Sequence, residues 1–216
     1  MHPLWIPDTL TCSPEKEIEI MLGIFLDSET NGLNHHNHKV VELAFQIVDM
    51  LSGELKATYQ TVIHQGMSDW QKSDPESLKI NGFTWEEVEK GKKPKIVAQE
   101  IIDLFTEWGI VRKKAVFICQ NPSFDRVFFS QLISPEVQEQ RNWPYHWLDL
   151  ASMHWAVMME HLSQNKGKLP WQAGLSKDSI AAFYQLPSEE KPHRAMQGVK
   201  HLVLCYEAVV GFPEKK

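Results

Sequence analysis

The chain has 216 residues, of which 43% are hydrophobic and 23% charged, and its formal net charge is −6 at pH 7. This length can bury one sizeable core, and no apolar run approaches the ~20 residues of a membrane span. The acidic balance argues against a protein that coats nucleic acid non-specifically, because such binding depends on many Lys and Arg contacts with phosphate. An enzyme that grips a single strand end remains compatible with it.

The cysteines and the first residues indicate a compartment. Three cysteines are scattered along the chain without the spacing of a metal site, which is typical of a reducing environment. The N-terminal residues lack the cationic start and apolar core of a secretion signal. We therefore expect a cytoplasmic protein without a membrane anchor. Its predicted parts are an irregular extension over 1–20, one domain over 21–212 and a short tail over 213–216.

Residues 22–63 have the pattern of β-strands. Residues 22–27 are a short apolar run that ends in an acid, as in a buried strand. Residues 39–50 are rich in β-forming residues, and 57–63 alternate between apolar and polar. Because the residues over 51–54 favour a turn, the pattern predicts an antiparallel hairpin within a three-strand meander.

Helical patterns dominate after this meander, interrupted by a buried strand over 114–120 and a strand or strand–helix junction over 145–150. Capping residues and apolar periodicity define the helices. They are predicted at 74–80, 84–91, 94–108, 122–132, 150–163, 176–184 and 194–210. A meander followed by alternating strands and helices predicts an α/β domain with a mixed sheet.

Two carboxylates, Asp27 and Glu29, lie two residues apart at the end of the first predicted strand. Their side chains project to the same side of a strand, and burying them together requires a compensating cation. Hard oxygen ligands of this kind suit Mg²⁺ or Mn²⁺. The spacing alone favours a simpler interpretation, a solvated pair in a strand–turn connection closed by Asn31 and Gly32.

Two further segments carry candidate functional residues. Asn121, Phe124 and Asp125 follow the strand over 114–120 and open a helix, although an Asp there also stabilises a helix without any catalytic role. His193 lies behind a proline at the start of the last predicted helix. Taken alone, each segment has a structural interpretation as good as the functional one.

The order of these segments resembles the DnaQ-like, DEDD-type 3′–5′ exonucleases of the histidine subtype, which include polymerase proofreading subunits and ribonuclease T. The matching motifs are LDSETNGL (26–33), NPSFD (121–125) and HRA (193–195), and the strand KVVELAFQIVD (39–49) also matches. The resemblance covers about residues 22–210. It implies a ribonuclease H-like fold, with a five-stranded mixed sheet flanked by helices.

The resemblance also implies a reaction and a set of roles. In this family four carboxylates hold two divalent ions, Mg²⁺ or Mn²⁺, that activate a water and stabilise the leaving 3′ oxygen. Asp27 would bind both ions, Glu29 one of them, and Asp125 would be the carboxylate of the second motif. His193 would take a proton from the attacking water, a task that suits imidazole at neutral pH.

A second group of residues matches family segments that line the pocket of the terminal nucleotide. Leu33 is expected to act as a wedge between bases. The predicted nucleic-acid contacts are Thr30, Asn31, Gly32, Leu33, Asn121 and Phe124. The three nearby histidines His35, His36 and His38 could suggest another metal site, but a polar loop is favoured because no Cys or acid shares their spacing.

The chain departs from the family at Gly198, five residues after His193, where the fourth carboxylate is expected. Glycine costs about 1 kcal/mol in a helix relative to alanine, so packing does not predict it there. The chain is therefore an introduced variant, a naturally impaired homologue, or an enzyme that recruits an acid from elsewhere. Asp149 and Glu207 are the candidate donors. We expect two ions, one of them weakly bound, and impaired activity.

The predicted function is a metal-dependent 3′–5′ exonuclease that acts on single-stranded DNA or RNA ends, with the choice of nucleic acid left open. The alternative is a non-catalytic module that binds strand ends or a partner protein. A homodimer and a polymerase partner are both open, although the short C-terminal tail argues against polymerase tethering.

Overall fold

The computed structural model describes residues 20–163 and 169–215. Nearly all of the predicted extension over 1–20 therefore lies outside the described residues. Within them, one sheet has the strand order β3-β2-β1-β4-β5. The strands are β1 (Leu22–Thr30), β2 (Val40–Asp49), β3 (Leu55–Val62), β4 (Ala115–Cys119) and β5 (Trp147–Asp149).

The sheet is mixed. β1, β2 and β3 pair antiparallel, while β4 pairs parallel with β1 and β5 pairs parallel with β4. The predicted meander and the predicted mixed sheet are both confirmed. Because β1, β4 and β5 run in one direction, their C-terminal ends meet at the same edge, which is where α/β sheets commonly place binding sites.

Ten α-helices surround the sheet in the described part of the chain. They are α1 (Met67–Trp70), α2 (Pro75–Asn81), α3 (Trp85–Glu89), α4 (Pro94–Glu107), α5 (Pro122–Leu132), α6 (Pro135–Gln140), α7 (Leu150–Ser163), α8 (Pro170–Ala173), α9 (Lys177–Phe183) and α10 (Ala195–Val209). The seven predicted helices are present. The short helices α1, α6 and α8 were not predicted, because they show no helical period, whereas the five-residue α3 was predicted from its Thr84 N-cap and the glycine after it.

The first strand is longer than its apolar run. β1 continues to Thr30 because Ser28 pairs with Leu43 and Thr30 with Val40. Glu29 therefore belongs to the strand, and the interpretation of Asp27 and Glu29 as a solvated pair in a turn is wrong. Backbone pairing with β2 extends the strand where hydrophobicity alone predicts its end.

Apolar side chains cover both faces of the sheet. Phe117 and Phe128 belong to the core on the side of α4 and α5. On the opposite face α10 packs against β1 and β2, with Val199 and Leu202 close to Phe25. The central strand is thus held from both sides, which fixes the polar residues at its C-terminal end.

The residues after α10 stay in contact with the domain. Phe212 is buried, and the backbone N–H of Glu214 donates to the carbonyl of Leu51 at 3.0 Å. Pro213–Lys215 form a 3₁₀ turn within the predicted tail. Across the described residues, no helix combines the length and the apolar character that crossing a membrane requires.

Candidate active site

An open cavity of about 350 Å³ lies at the C-terminal edge of β1. It brings together all four predicted catalytic residues, Asp27, Glu29, Asp125 and His193, from segments far apart in the chain. Two sides can be distinguished. The strand wall consists of Asp27, Ser28, Glu29 and Asp125, and the helix wall consists of Lys177, Glu189, His193 and Gly198.

The strand wall follows from the alternation of side chains along β1. Asp27 and Glu29 point to the side of α10, and Ser28 points to the opposite side. The Ser28 hydroxyl donates to Oδ1 of Asp125 at 2.7 Å. Asp125 is buried in the first turn of α5, which begins after Asn121 in a left-handed conformation with φ 102°. The turn at Asn121 thus directs the start of α5 towards the end of β1.

The carboxyl groups of the strand wall are costly to ionise. Burial, followed by the negative charge of Asp27, raises the pKa of Glu29 to about 8 and that of Asp125 to about 8. Burial also raises the pKa of Asp27, although the nearby Lys177 opposes the shift. A cation bound beside these groups would favour their ionised forms.

The helix wall already contains a cation. The Nζ atom of Lys177 lies 3.2 Å from Oδ1 of Asp27 and 3.0 Å from Oε2 of Glu189. Only 11% of the Lys177 side chain is exposed. Burial alone would lower the pKa of Lys177, but the charges of Asp27 and Glu189 outweigh it and raise that pKa. Lys177 is therefore a charged side chain held inside the acidic cavity.

Sequence reasoning did not predict this lysine. Lys177 is the first residue of α9, directly after the N-cap Ser176. A cation in the first turn of a helix is opposed by the helix dipole, and this unusual placement is the only local signal that could have drawn attention to Lys177. Its contacts depend on Asp27, 150 residues away.

Glu189 is the carboxylate that the helix wall adds to the site. Its side chain is 3% exposed and lies between Lys177 and His201, whose Nδ1 is 3.7 Å from Oε2. Burial would raise the pKa of Glu189, but His201 and Lys177 together lower it to about 2. Glu189 was not predicted, because it lies in an irregular segment that carries no periodicity.

The two predicted donors of a replacement carboxylate are wrong. Asp149 accepts hydrogen bonds from the backbone N–H groups of Ala151 and Ser152, at 3.1 and 3.2 Å, and so caps α7. Glu207 lies far along α10 and accepts from Lys215 at 3.3 Å. Each carboxylate is engaged by a neighbour in sequence, a local demand that spacing alone does not reveal.

His193 lies at the cavity edge between α9 and α10. Its backbone N–H donates to the carbonyl of Ile80 at 3.1 Å. The imidazole is 30% exposed, with Nδ1 3.8 Å from Oε1 of Glu189. This position faces both solvent and the acidic groups, as a residue that exchanges a proton with a bound water requires.

Gly198 is buried in α10 directly against Asp27. A Cβ atom at this position would lie 1.9 Å from Oδ2 of Asp27 and 2.9 Å from Nζ of Lys177. Both distances are shorter than van der Waals contact, so any other residue requires Asp27 to move. The expectation that packing gives no reason for glycine here is wrong, because the close approach of Asp27 requires it.

The predicted nucleotide-contacting residues divide into two groups. Asn31 is fully buried, where its side chain bonds to Ser73 and to the Lys39 backbone, and the Thr30 hydroxyl donates to the carbonyl of Gly32. These side chains organise the loop, and a contact of the loop with a nucleotide stays a prediction. The second group is accessible from solvent or from the cavity. Leu33 is 74% exposed, and Asn121 and Phe124 line the cavity.

The histidine loop carries no metal site in the described part of the chain. His35 and His36 lie at the surface with ring centroids 4.0 Å apart, and His38 contacts the carbonyl of Lys72 at 3.2 Å. No group of three or more His, Cys, Asp or Glu side chains among the described residues is arranged to hold a metal ion. The favoured interpretation, a polar loop, agrees with these contacts.

The absence of such a group among the described residues also limits the metal centre expected in the cavity. The strand wall offers carboxylate oxygens, the donors that Mg²⁺ and Mn²⁺ prefer, and its raised pKa values are those of groups that lack a cation. This chemistry fits one divalent ion once the carboxylates turn towards it. Lys177 contacts Asp27 and Gly198 supplies no ligand, so the helix wall offers fewer oxygen ligands to a second ion.

Comparison with known proteins gives the same family as the sequence motifs. Residues 24–204 match the exonuclease family model named after ribonuclease T. Exonuclease DPD1, chloroplastic/mitochondrial, from Arabidopsis thaliana is 25% identical over 191 residues. That alignment covers 86% of this chain and 55% of the plant protein, so the chain spans little more than half of that relative.

Solved structures show the same fold at low identity. E. coli exonuclease I in complex with a dT13 oligonucleotide superposes with a TM-score of 0.69 and 15% identity, over 90% of this chain and 42% of that one. A 3′-exonuclease that recognises a histone mRNA stem-loop superposes with a TM-score of 0.63 and 12% identity, over 90% of this chain and 65% of that one. The predicted ribonuclease H-like fold is confirmed.

The family match extends over most of the chain and includes Asp27, Glu29, Asp125 and His193. The fold, the motif order and the shared cavity lead to one assignment. The chain belongs to the DnaQ-like exonuclease family that the ribonuclease T model describes.

Proposed function

We propose that this chain is a divalent-cation-dependent exonuclease that removes nucleotides from the 3′ ends of single-stranded DNA or RNA. The observation that carries the proposal is the strand wall, where the buried Asp125 and the half-buried Asp27 and Glu29 share an open cavity with His193. Two structural neighbours support the substrate class, since one is in complex with a dT13 oligonucleotide and the other recognises the 3′ end of a histone mRNA stem-loop.

The residues of the strand wall would hold the ion. Asp27, Glu29 and Asp125 provide the oxygen ligands, and Ser28 keeps Asp125 turned towards the cavity. When bound there, a divalent ion supplies positive charge for water activation and for the leaving oxygen. His193 would take the proton of the attacking water, with Glu189 beside it to stabilise the imidazolium form.

The exposed candidates would position the strand. Leu33 projects from the loop after β1 and would insert beside the terminal base. Asn121 and Phe124 line the cavity at the start of α5, where Phe124 packs against Phe128. An aromatic ring in this place offers a face for base stacking.

The two-ion mechanism that the family resemblance implies stays a prediction, as does impaired activity. The helix wall supports a lower rate than that of relatives with four carboxylates, because Gly198 removes one ligand. Homodimer formation, a polymerase partner and a cytoplasmic location also stay predictions.

The alternative function is a non-catalytic module that binds strand ends. One observation favours it: the Lys177 ammonium already neutralises part of the acidic wall, a charge that catalysis would otherwise take from a metal ion. Such a module would bind an oligonucleotide without cleaving it.

Matched DNA and RNA strands, labelled at either end and incubated with Mn²⁺, separate these functions. We expect stepwise release of mononucleotides from the 3′ end, and loss of release in Asp27→Asn. The exposed Asp103 provides the control, since Asp103→Asn should leave the rate unchanged. Binding of both strands without cleavage at saturating Mn²⁺ would establish the non-catalytic module, and cleavage from the 5′ end would contradict the polarity.

A further inference from the structure

The acidic cavity contains a lysine where an exonuclease of this family is expected to bind a second metal ion. We propose that the Lys177 ammonium is a built-in cation that replaces one of the two divalent ions, so that the site takes a single divalent ion. This inference rests on the proposed nuclease function and assigns a role to three residues that the family motifs do not include or do not explain: Lys177, Glu189 and Gly198.

The position of Lys177 is the first argument. Its Nζ lies 3.2 Å from Oδ1 of Asp27, the carboxylate predicted to bind both ions. The same Nζ lies 2.9 Å from the point where the first side-chain atom of residue 198 would be. An acidic side chain at 198 would therefore extend into the space of the ammonium. The Lys177 ammonium and a carboxylate at position 198 would therefore occupy the same space.

The ammonium is also held in place. Oε2 of Glu189 lies 3.0 Å from Nζ, and the Glu189 side chain is almost fully buried. The backbone N–H of Glu189 donates to Oδ1 of Asp178 at 3.0 Å, which anchors the segment to α9. A lysine fixed between two carboxylates is a structural cation, unlike a lysine that moves freely at a surface.

The placement of Lys177 in α9 is the third argument. A lysine in the first turn of a helix gains nothing from the helix dipole, which favours acids at that end. The stabilisation of its charge must come from Asp27 and Glu189. The site therefore determines the residue at this position, and helix formation does not.

Gly198 completes the arrangement. A Cβ atom there would overlap Oδ2 of Asp27 at 1.9 Å, so glycine allows Asp27 to approach α10 and still bind Lys177 through Oδ1. Gly198 and Lys177 thus form a compensating pair, in which one carboxylate and one metal ion are replaced by a hydrogen atom and an ammonium. Restoring the acid alone, as in Gly198→Asp, should not restore a second ion site.

A second divalent ion is further opposed by charge. It would have to share Asp27 with an ammonium that lies 3.2 Å from Oδ1 and is itself largely buried, so the two positive charges would repel each other. Of the strand-wall carboxylates, Lys177 pairs with Asp27, and Glu29 and Asp125 are not among its ion-pair partners. These groups, with Asp27, are where the single ion would bind.

The number of Mn²⁺ ions bound per chain tests the proposal directly. We would measure it by isothermal titration calorimetry and by the electron paramagnetic resonance signal of free Mn²⁺, on the full chain without nucleic acid. The wild type should bind one ion, and so should Gly198→Asp. The double variant Lys177→Met with Gly198→Asp should bind two. The exposed Lys200 in α10 gives the control Lys200→Met, which should bind one.

Two ions bound to the wild type, or none, would overturn the proposal, and this result does not depend on whether any variant folds. One ion in a folded double variant, verified by its circular dichroism, would also overturn the claim that Lys177 occupies the second place. The cleavage assay separates the two proposals. One ion without cleavage rejects the nuclease function alone, and cleavage with two ions rejects the lysine substitution alone.

Discussion

The two walls of the cavity differ in how their charged groups are compensated. The strand wall collects carboxyl groups whose pKa values are raised, and it needs a cation from outside. The helix wall carries its own cation, Lys177, which pairs with Glu189 on the same wall and with Asp27 of the strand wall. The strand wall keeps the family carboxylates, whereas the helix wall keeps His193 but has Gly198 where the fourth carboxylate is expected. Backbone pairing fixes the end of a central strand, while the segments around α9 can accept new residues.

The two walls also differ in the elements that position them. The strand wall is positioned by β1 and by the start of α5, both supported by the core. The helix wall is built from α9, an irregular segment and the first turn of α10. We infer that the former determines which reaction is possible and the latter how the site is balanced and how fast it works.

The largest effect is expected from His193→Gln. Loss of the general base should lower kcat for strand-end cleavage by about 10²–10⁴-fold, while the affinity for Mn²⁺, measured by calorimetry, stays unchanged because the strand wall is intact. A matched change of the exposed His64, as His64→Gln, should leave kcat unchanged. A loss of Mn²⁺ binding in His193→Gln would show that the two walls do not act separately.

The second largest effect is expected on stability, when the Glu189 carboxylate that pairs with Lys177 is removed. Glu189→Gln leaves Lys177 with only Asp27, and we expect the free energy of unfolding to fall by about 2 kcal/mol, below the range for a fully broken buried pair. Urea denaturation at pH 7 measures this fall. The exposed Glu86 supplies the control Glu86→Gln, which should change stability by less than about 0.5 kcal/mol.

The same pair predicts a pH dependence. The pKa of Glu189 is lowered to about 2 in the folded protein, from an ordinary value of 4.5. Between these values the unfolded chain binds more protons, so the stabilisation by Glu189 is present above pH 4.5 and is lost as the pH falls towards 2. The difference in unfolding free energy between wild type and Glu189→Gln should shrink over this window. A difference that stays constant would contradict the charge pairing.

A smaller effect should follow Gly198→Ala. Alanine in place of glycine normally stabilises a helix by about 1 kcal/mol, but here the added methyl group overlaps Asp27. We expect a net loss of about 1–3 kcal/mol, as for other overpacked sites. Thermal unfolding measures the change. Gly66, where a Cβ would meet no atom closer than 4.0 Å, is the control as Gly66→Ala. A stabilised Gly198→Ala protein would show that Asp27 moves away freely.

The smallest effect is expected outside both walls. Leu33→Ala removes an exposed side chain, so the free energy of unfolding should not change measurably. If Leu33 inserts beside the terminal base, KM for an oligonucleotide should rise about threefold to tenfold, which corresponds to about 1 kcal/mol of lost contact. An unchanged KM would remove Leu33 from the binding surface and leave the two walls as the whole site.

The larger elements could be predicted because their signals are local. The apolar runs of β1, β2 and β4 and the amphipathic period of α4 predict their own state. The end of β1 could not be predicted, because Ser28 to Thr30 are polar and join the strand only through pairing with β2. The short helices α1, α6 and α8 could not be predicted from periodicity, whereas the equally short α3 was predicted from its Thr84 N-cap.

The candidate site divides in the same way. Motif order placed Asp27, Glu29, Asp125 and His193 correctly in one cavity. It also drew attention to Gly198, but the two candidate donors of a replacement acid, Asp149 and Glu207, serve as a helix cap and a surface ion-pair partner.

The sequence by itself determined the family, the three-strand meander and the carboxylates of the strand wall, because these depend on local patterns and on motifs that keep their spacing. Only the tertiary structure decided that Lys177 lies against Asp27 and that Glu189 holds it from the other side. The physical reason is distance along the chain. Asp27 and Lys177 are 150 residues apart, and only the packing of α9 and α10 on the sheet brings their charges within contact.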